Sequence, residues 1–327
     1  LPLFAGAISL NLGHYRITLY DIFQIFLSSI LGRDEAFLYN REIYEVILFK
    51  VRLPRVILAM LGGIALATSG ASLQAIFRNP LVDSYVLGIS AGAGFGAALA
   101  IAVAPNTVSV QLSAFAFGLL AFSLTYLIAR VGGDTSSISL VLAGIVISAL
   151  FSSCLSLVKF FTEPQRLTDL VNWLMGSLSS ANWENVFLIS PIILICFIIT
   201  SLMRWRINII SMGDEEARSL GVNTERDRLI LLVLSTLMVS SFTSVAGIIG
   251  WVGLIVPHMS RMLMKTPDNR LVLPASVCLG STLLLLADDL ARCLTTYELP
   301  IGVLTTVGGA PFFLYLLRTR GRRAWKE

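Results

Sequence analysis

SMGDEEARSLGV, residues 211–222, is a short polar island between two long apolar runs, 186–203 before it and 229–249 after it. Asp214, Glu215 and Glu216 open it, where the partial positive charge of a helix N-terminus favours acids. Arg218 and Leu220 follow, and Gly221 supplies the residue past a helix end that tolerates a left-handed backbone. Thr224, Glu225, Arg226 and Asp227 then read as a capping box that starts the next apolar helix. The stretch predicts a short helix outside the bilayer, about residues 211–224, joining two membrane spans. By itself the pattern also fits an ordinary interfacial connector.

Composition gives the class. Of 327 residues, 56% are hydrophobic and 13% charged, where soluble domains carry about 25% charged. Mean hydropathy is +0.81, and several apolar runs approach the ~20 residues that cross a hydrocarbon core. The expectation is an all-α polytopic membrane protein, one transmembrane domain over residues 1–327, with no room for a soluble catalytic domain. The net charge of +4 does not argue for nucleic acid, because the basic residues sit in loops. Cys154, Cys196, Cys278 and Cys293 are far apart in apolar runs, so neither a metal site nor a disulfide framework is indicated.

Residues 1–12 are apolar but too short to span, as if the chain began partway through a first helix. Residues 18–31 suit an amphipathic helix lying in the interface, and 33–50 read as a charged loop. Arg52, Leu53, Pro54 and Arg55 close that loop, with Pro54 in the first turn of a span over 56–77. Small residues such as Gly62, Gly63, Gly70 and Ala71 let helices approach closely there. The next span, 85–103, carries Gly88, Gly92, Gly94 and Gly96. It lacks the preceding strand and Lys-Ser/Thr ending of a phosphate loop, so close packing is the better reading. Spans follow at 108–129 and 138–161. Thr135, Ser136 and Ser137 stand at the mouth of the latter, where hydroxyls cap a helix or narrow a pathway. Residues 165–178 read as a partial helix. Glycines interrupt 247–253, which continues through Pro257 to 264; such breaks are tolerated in lipid only when buried or lining a cavity. Spans at 272–294 and 301–317 precede a basic tail.

Placing that tail, the island and the loops near Arg78, Arg130 and Arg261 on the cytoplasmic side collects 15 of the 24 Lys and Arg there. The external segment is then about 13–55, and Arg292 also faces outward. Arg52 and Arg55, three apart, share one side of a helical turn. With Arg292 they would make a positive patch that steers an acidic partner. The alternative pairs Arg292 with Asp288 and Asp289 and leaves the other two to lipid headgroups. No HExxH, P-loop or nucleophile elbow occurs, and His14 and His258 are isolated. No intramembrane carboxylate lies away from the interface, as an ion-coupled carrier would require. An enzyme is excluded by this reading, and energy must come from outside the chain.

The motifs together resemble the FecCD/BtuC-type permeases, the membrane subunits of binding-protein-dependent ABC importers for iron chelates, haem and cobalamin. They are Arg52–Arg55 (RLPR), 70–74 (GASLQ), 79–81 (NPL), 87–94 (LGISAGAG), 142–144 (LAG), 213–221, 247–261 (GIIGWVGLIVPHMSR), 287–292 and 298–311 (ELPIGVLTTVGGAP). The resemblance implies about ten transmembrane helices per subunit, the first truncated here, in a homodimer with a central pathway. It implies two separate ATPase subunits that carry ATP and Mg, an extracytoplasmic binding protein, and no cofactor or metal on this subunit. By the same resemblance Gly213, Asp214, Glu215, Glu216, Ala217, Arg218, Leu220 and Gly221 form the coupling helix. Thr135, Ser136 and Ser137 belong to the cytoplasmic gate, and Arg52, Arg55 and Arg292 meet the binding protein. The expected setting is the inner membrane, multi-pass, with a cytoplasmic C-terminus. Ferric siderophore is the expected cargo, with cobalamin, haem or molybdate behind it and a passive channel as the remote alternative.

Overall fold

Lipid offers no partner for backbone N–H and C=O groups, so an apolar chain of this composition must close its hydrogen bonds within helices. The computed structural model describes residues 1–13, 15, 17–31, 41–103, 106–131 and 134–324. Among them the only strand pairing is a two-residue antiparallel ladder, Arg130 with Thr135 and Val131 with Asp134. Helix α1 spans Pro2–Asn11, α2 Leu19–Leu31, and α3 Arg41–Glu45. A π-helical stretch, Val46–Arg52, joins α3 to α4, Leu53–Ile76. Then come α5 (Ile89–Val103), α6 (Thr107–Ala129), α7 (Ser137–Phe161) and α8 (Pro164–Leu174). Helices α9 (Trp183–Leu202), α10 (Arg204–Met212), α11 (Asp214–Ser219) and α12 (Thr224–Ala246) follow. The chain ends with α13 (Val252–Met264), α14 (Asn269–Cys293) and α15 (Ile301–Ala324).

Six of the described helices are long and apolar enough to cross a membrane: Glu42–Ile76, α6, α7, α9, α12 and α14. Four shorter apolar helices accompany them: Pro2–Asn11, Ile89–Val103, Val252–Met264 and Ile301–Tyr315. The protein is therefore an integral membrane protein with at least six spans. Within it, α4 and α12 form the interior. The most apolar stretches of these two helices are 83% and 78% buried, against 28% for α7. Phe242 of α12 is fully buried, and a β-carbon on Gly62 of α4 would collide with its ring. A β-carbon on Gly70 would likewise strike the carbonyl of Gly253 on α13. The small residues of α4 thus serve close helix approach, as expected from sequence.

Three local expectations are corrected. Residues 41–52 are helical and run into α4, although their charges read as a loop; 33–40 lie outside the described residues. The π-helical register ends where Pro54 enters at the first turn of α4, so the proline's missing N–H falls near a helix start. Helix α5 starts at Ile89 because turns occupy the preceding residues and Gly88 holds a left-handed φ of 81°. Helix α9 ends at Leu202, and Arg204 and Arg206 open a further helix, α10. The cap of α12 is Asn223, whose side chain accepts from Arg226 N at 3.0 Å, one residue before the expected Thr224.

The glycine break holds as read. Residues 247–251 are non-helical, with Gly247 at φ 70° and Trp251 at φ 72°. The interrupted helix ends satisfy one another. Ser177 N donates to Ala246 O (2.8 Å), Ile301 N to Gly176 O (2.9 Å) and Gly302 N to Met175 O (3.1 Å).

Candidate functional site

The island folds as α11, held at both ends. At its start Gly213 takes a φ of 143°, and Asp214 pairs at 2.7 Å with Arg228 of α12, a buried guanidinium. At its end Val222 N donates to Ala217 O and Gly221 N to Arg218 O, both at 3.0 Å. With Gly221 at φ 77° this is a Schellman stop, the use of glycine expected from sequence. Ala217 points inward and packs with Ile209 and Val222. Glu215, Glu216, Arg218 and Leu220 remain on the exposed side, Leu220 at 55% exposure. The preceding helix, α10, is fixed to α14. Asn208 Oδ1 accepts from Asn269 N (2.8 Å) and Asn269 Nδ2 (2.9 Å), and Asn208 Nδ2 donates to Asp268. The backbone N–H of Arg270, then that Asn208 amide, hold Asp268 below the usual carboxylate range. The result is a rigid platform with a small mixed-charge face.

At the mouth of α7, Ser136 is the helix cap. Its Oγ accepts from Ser139 N at 3.0 Å, the capping role open to these hydroxyls from sequence. Ser137 lines a cavity of about 240 Å³ with Phe77, Asn79, Val82, Ile138 and Val141. The backbone of Thr135 pairs in the two-residue ladder, and its side chain lies outside the described residues. Ile138 and Leu142 are 73% and 58% exposed, so one apolar side of α7 is open from its first turn.

The three outward arginines form no exposed patch. Arg52, Arg55 and Arg292 are 4%, 7% and 7% exposed. Arg55 Nε donates to both oxygens of Asp288 (2.9 and 3.1 Å), while its two terminal nitrogens reach Glu298 (2.9 and 3.0 Å). Arg292 pairs with Asp289 and, at 3.2 Å, with Asp288. Ser9 of α1 donates to Asp289 (2.6 Å) and accepts from Arg292 (3.0 Å). Arg52 is spent on the carbonyls of Leu10, Asn11 and Tyr15. The network ties α1, α4, α14 and the turn before α15 into one end of the molecule. The sequence alternative for Arg292, pairing within its own helix, is the arrangement found.

Residues 1–319 match the FecCD transport family. The chain belongs to that family. It is 43% identical over 295 residues to a Helicobacter pylori protein described as an iron chelatin transport system permease protein, covering 89% of each. It is 35% identical over 325 residues to the molybdate import system permease protein MolB of Haemophilus influenzae, covering 98% of this chain and 95% of that one. A solved structure described as an inward-facing metal-chelate type ABC transporter superposes with a TM-score of 0.86 at 34% identity, covering 97% of this chain and 96% of that one.

Two features of this FecCD-family chain escaped the sequence reading. Asn79 in the turn after α4 walls the cavity beside Ser137. Gln74, a polar residue on the small-residue face of α4, bridges α4 to α13 through Leu254 O (3.1 Å) and Arg261. Both residues lie in motifs quoted above, 70–74 and 79–81, as polar side chains at the end of an otherwise apolar span, but neither motif shows what they contact.

Proposed function

We propose that the chain is the membrane-spanning permease subunit of an ATP-driven importer, inserted in the inner membrane with its C-terminus in the cytoplasm. It works as a homodimer of ten-helix subunits around a central pathway. Two separate ATPase subunits engage the cytoplasmic side and carry ATP, Mg and hydrolysis. An extracytoplasmic binding protein delivers the cargo, a metal chelate with ferric siderophore first. Cobalamin, haem and molybdate are the alternatives, and the molybdate relative keeps the last of these in view.

The observation that carries this reading is α11: an exposed helical face locked by a Schellman stop and the Asp214–Arg228 bridge. A passive channel needs no such platform, whereas an ATPase that pushes on the membrane subunit does. The six long and four shorter apolar helices support the ten-helix count. The open apolar side of α7 supports a second copy packed beside the pathway, with Ser136 and Ser137 at its cytoplasmic gate. The buried arginine network supports the docking face for the binding protein from within, without direct contact by Arg52, Arg55 or Arg292.

The test is uptake into proteoliposomes containing the permease, its ATPase and the cargo-loaded binding protein. Ferric siderophore, haem, cobalamin and molybdate are offered in turn. ATP-dependent uptake of the ferric chelate is expected. Uptake confined to another cargo overturns the substrate, and cargo flux independent of ATP overturns the importer.

A further inference from the structure

A cavity of about 280 Å³ opens beside the root of the island, between the turn after α4, the end of α10 and the start of α14. Two guanidinium groups line it, Arg78 and Arg261, together with Ser211, Asn79 and Asn269. Among the described residues neither arginine forms an ion pair, although Arg55, Arg166, Arg206, Arg228 and Arg292 all do. Arg261 donates to the Gln74 carbonyl oxygen, a neutral acceptor. Gln74 is itself held in place because its amide nitrogen is committed to Val82 O and Leu254 O, both at 3.1 Å. Arg78 sits at φ 49°, a left-handed conformation that Gly or Asn holds at less cost. A long charged side chain kept in such a place suggests that its head group is used.

Arg78 is exposed and Arg261 half-buried, neither holds an acid at ion-pair distance among the described residues, and the guanidinium fork matches a carboxylate. We infer that this cavity receives a carboxylate side chain of the ATPase subunit, seated between Arg78 and Arg261. The occupant is assigned by continuity, since Ser211 on its wall lies three residues before the α11 platform, and by charge complementarity. The inference rests on the reading of α11 as the ATPase-docking element and adds the acid that the ATPase must present there. Asn79 lines both this cavity and the one beside Ser137. A carboxylate seated here therefore presses on the turn that walls the gate, which links docking to opening.

The test uses the full permease in lipid nanodiscs and measures its affinity for the ATPase against salt. Arg78→Asn removes the charge and tolerates the left-handed turn. It should weaken ATPase binding by about tenfold or more at low salt and flatten the salt dependence. Arg78→Glu should be rescued by one Asp or Glu→Arg change in a scan of the ATPase surface. Leu220→Asp, on the exposed face of α11, is the control for the underlying reading. Wild-type ATPase affinity in Arg78→Asn with loss in Leu220→Asp overturns this inference and leaves the docking helix standing. Wild-type affinity in both overturns the two together. If the Arg78→Asn defect appears only in discs with phosphatidylglycerol and vanishes in phosphatidylcholine alone, the cavity holds a lipid phosphate and the inference fails.

Discussion

Two sets of arginines stand at opposite ends of α4, about 36 Å apart along its 24 residues. At the N-terminal end Arg55, with Arg292 of α14, is enclosed by Asp288, Asp289 and Glu298, and with the neighbouring Arg52 the charges balance within the chain. Past the C-terminal end Arg78, with Arg261 of α13, forms no ion pair among the described residues. The residues look alike in the sequence: arginines next to apolar spans. What separates them is whether a third and distant element supplies the acid. The paired end is built to hold helices together, and the unpaired end is left for something outside the chain.

The strongest way to break this contrast is Arg55→Ala. It leaves Asp288, which is fully buried, without its bidentate partner, and removal of one member of a buried pair costs about 3–5 kcal/mol. Thermal unfolding of the purified chain should show that loss or yield no folded protein. Unchanged stability with weakened binding-protein affinity would restore the arginine to the docking surface. Arg261→Gln sharpens the contrast from the other end. No acid is orphaned by it, so the cost in the same unfolding assay should stay below about 1 kcal/mol.

How much of this was legible depends on distance along the chain. The acids and glycine of the island, and the cap at Ser136, act within a few residues of themselves, so the sequence carries their geometry. The one-residue slip at the start of α12 arose because Asn223 and Thr224 are both good caps and only side-chain geometry decides between them. The pairing of Arg55 with Asp288 crosses 233 positions, and that of Arg261 with Gln74 crosses 187. No local period records either. Residues 41–52 were hidden for a different reason: Arg41, Glu42 and Glu45 ahead of Pro54 look like a loop, and a π-helical register is a tertiary accommodation. That Ala217 faces inward was not legible, since so short a helix has no readable amphipathic period.

A smaller effect is expected at Gly221. Nothing lies within 4 Å of where a β-carbon would stand, so Gly221→Ala strains only the backbone at φ 77°, by roughly 1 kcal/mol. Hydrogen exchange should speed up at the Gly221 and Val222 amides of the Schellman stop while the α12 core is unaffected. Unchanged exchange there would mean that the stop does not hold the island.

The central claim is that force enters this permease through the exposed face of α11. Leu220→Asp tests it most directly, because a half-exposed side chain can be changed at a cost within about 0.5 kcal/mol of folding stability. The quantity to measure is ATP-driven uptake of the ferric chelate into proteoliposomes, with the unfolding temperature of the variant as a control. The account predicts an unchanged unfolding temperature and uptake reduced at least about tenfold, as loss of a buried contact at an interface would give. Uptake at the wild-type rate by a folded Leu220→Asp permease would contradict it.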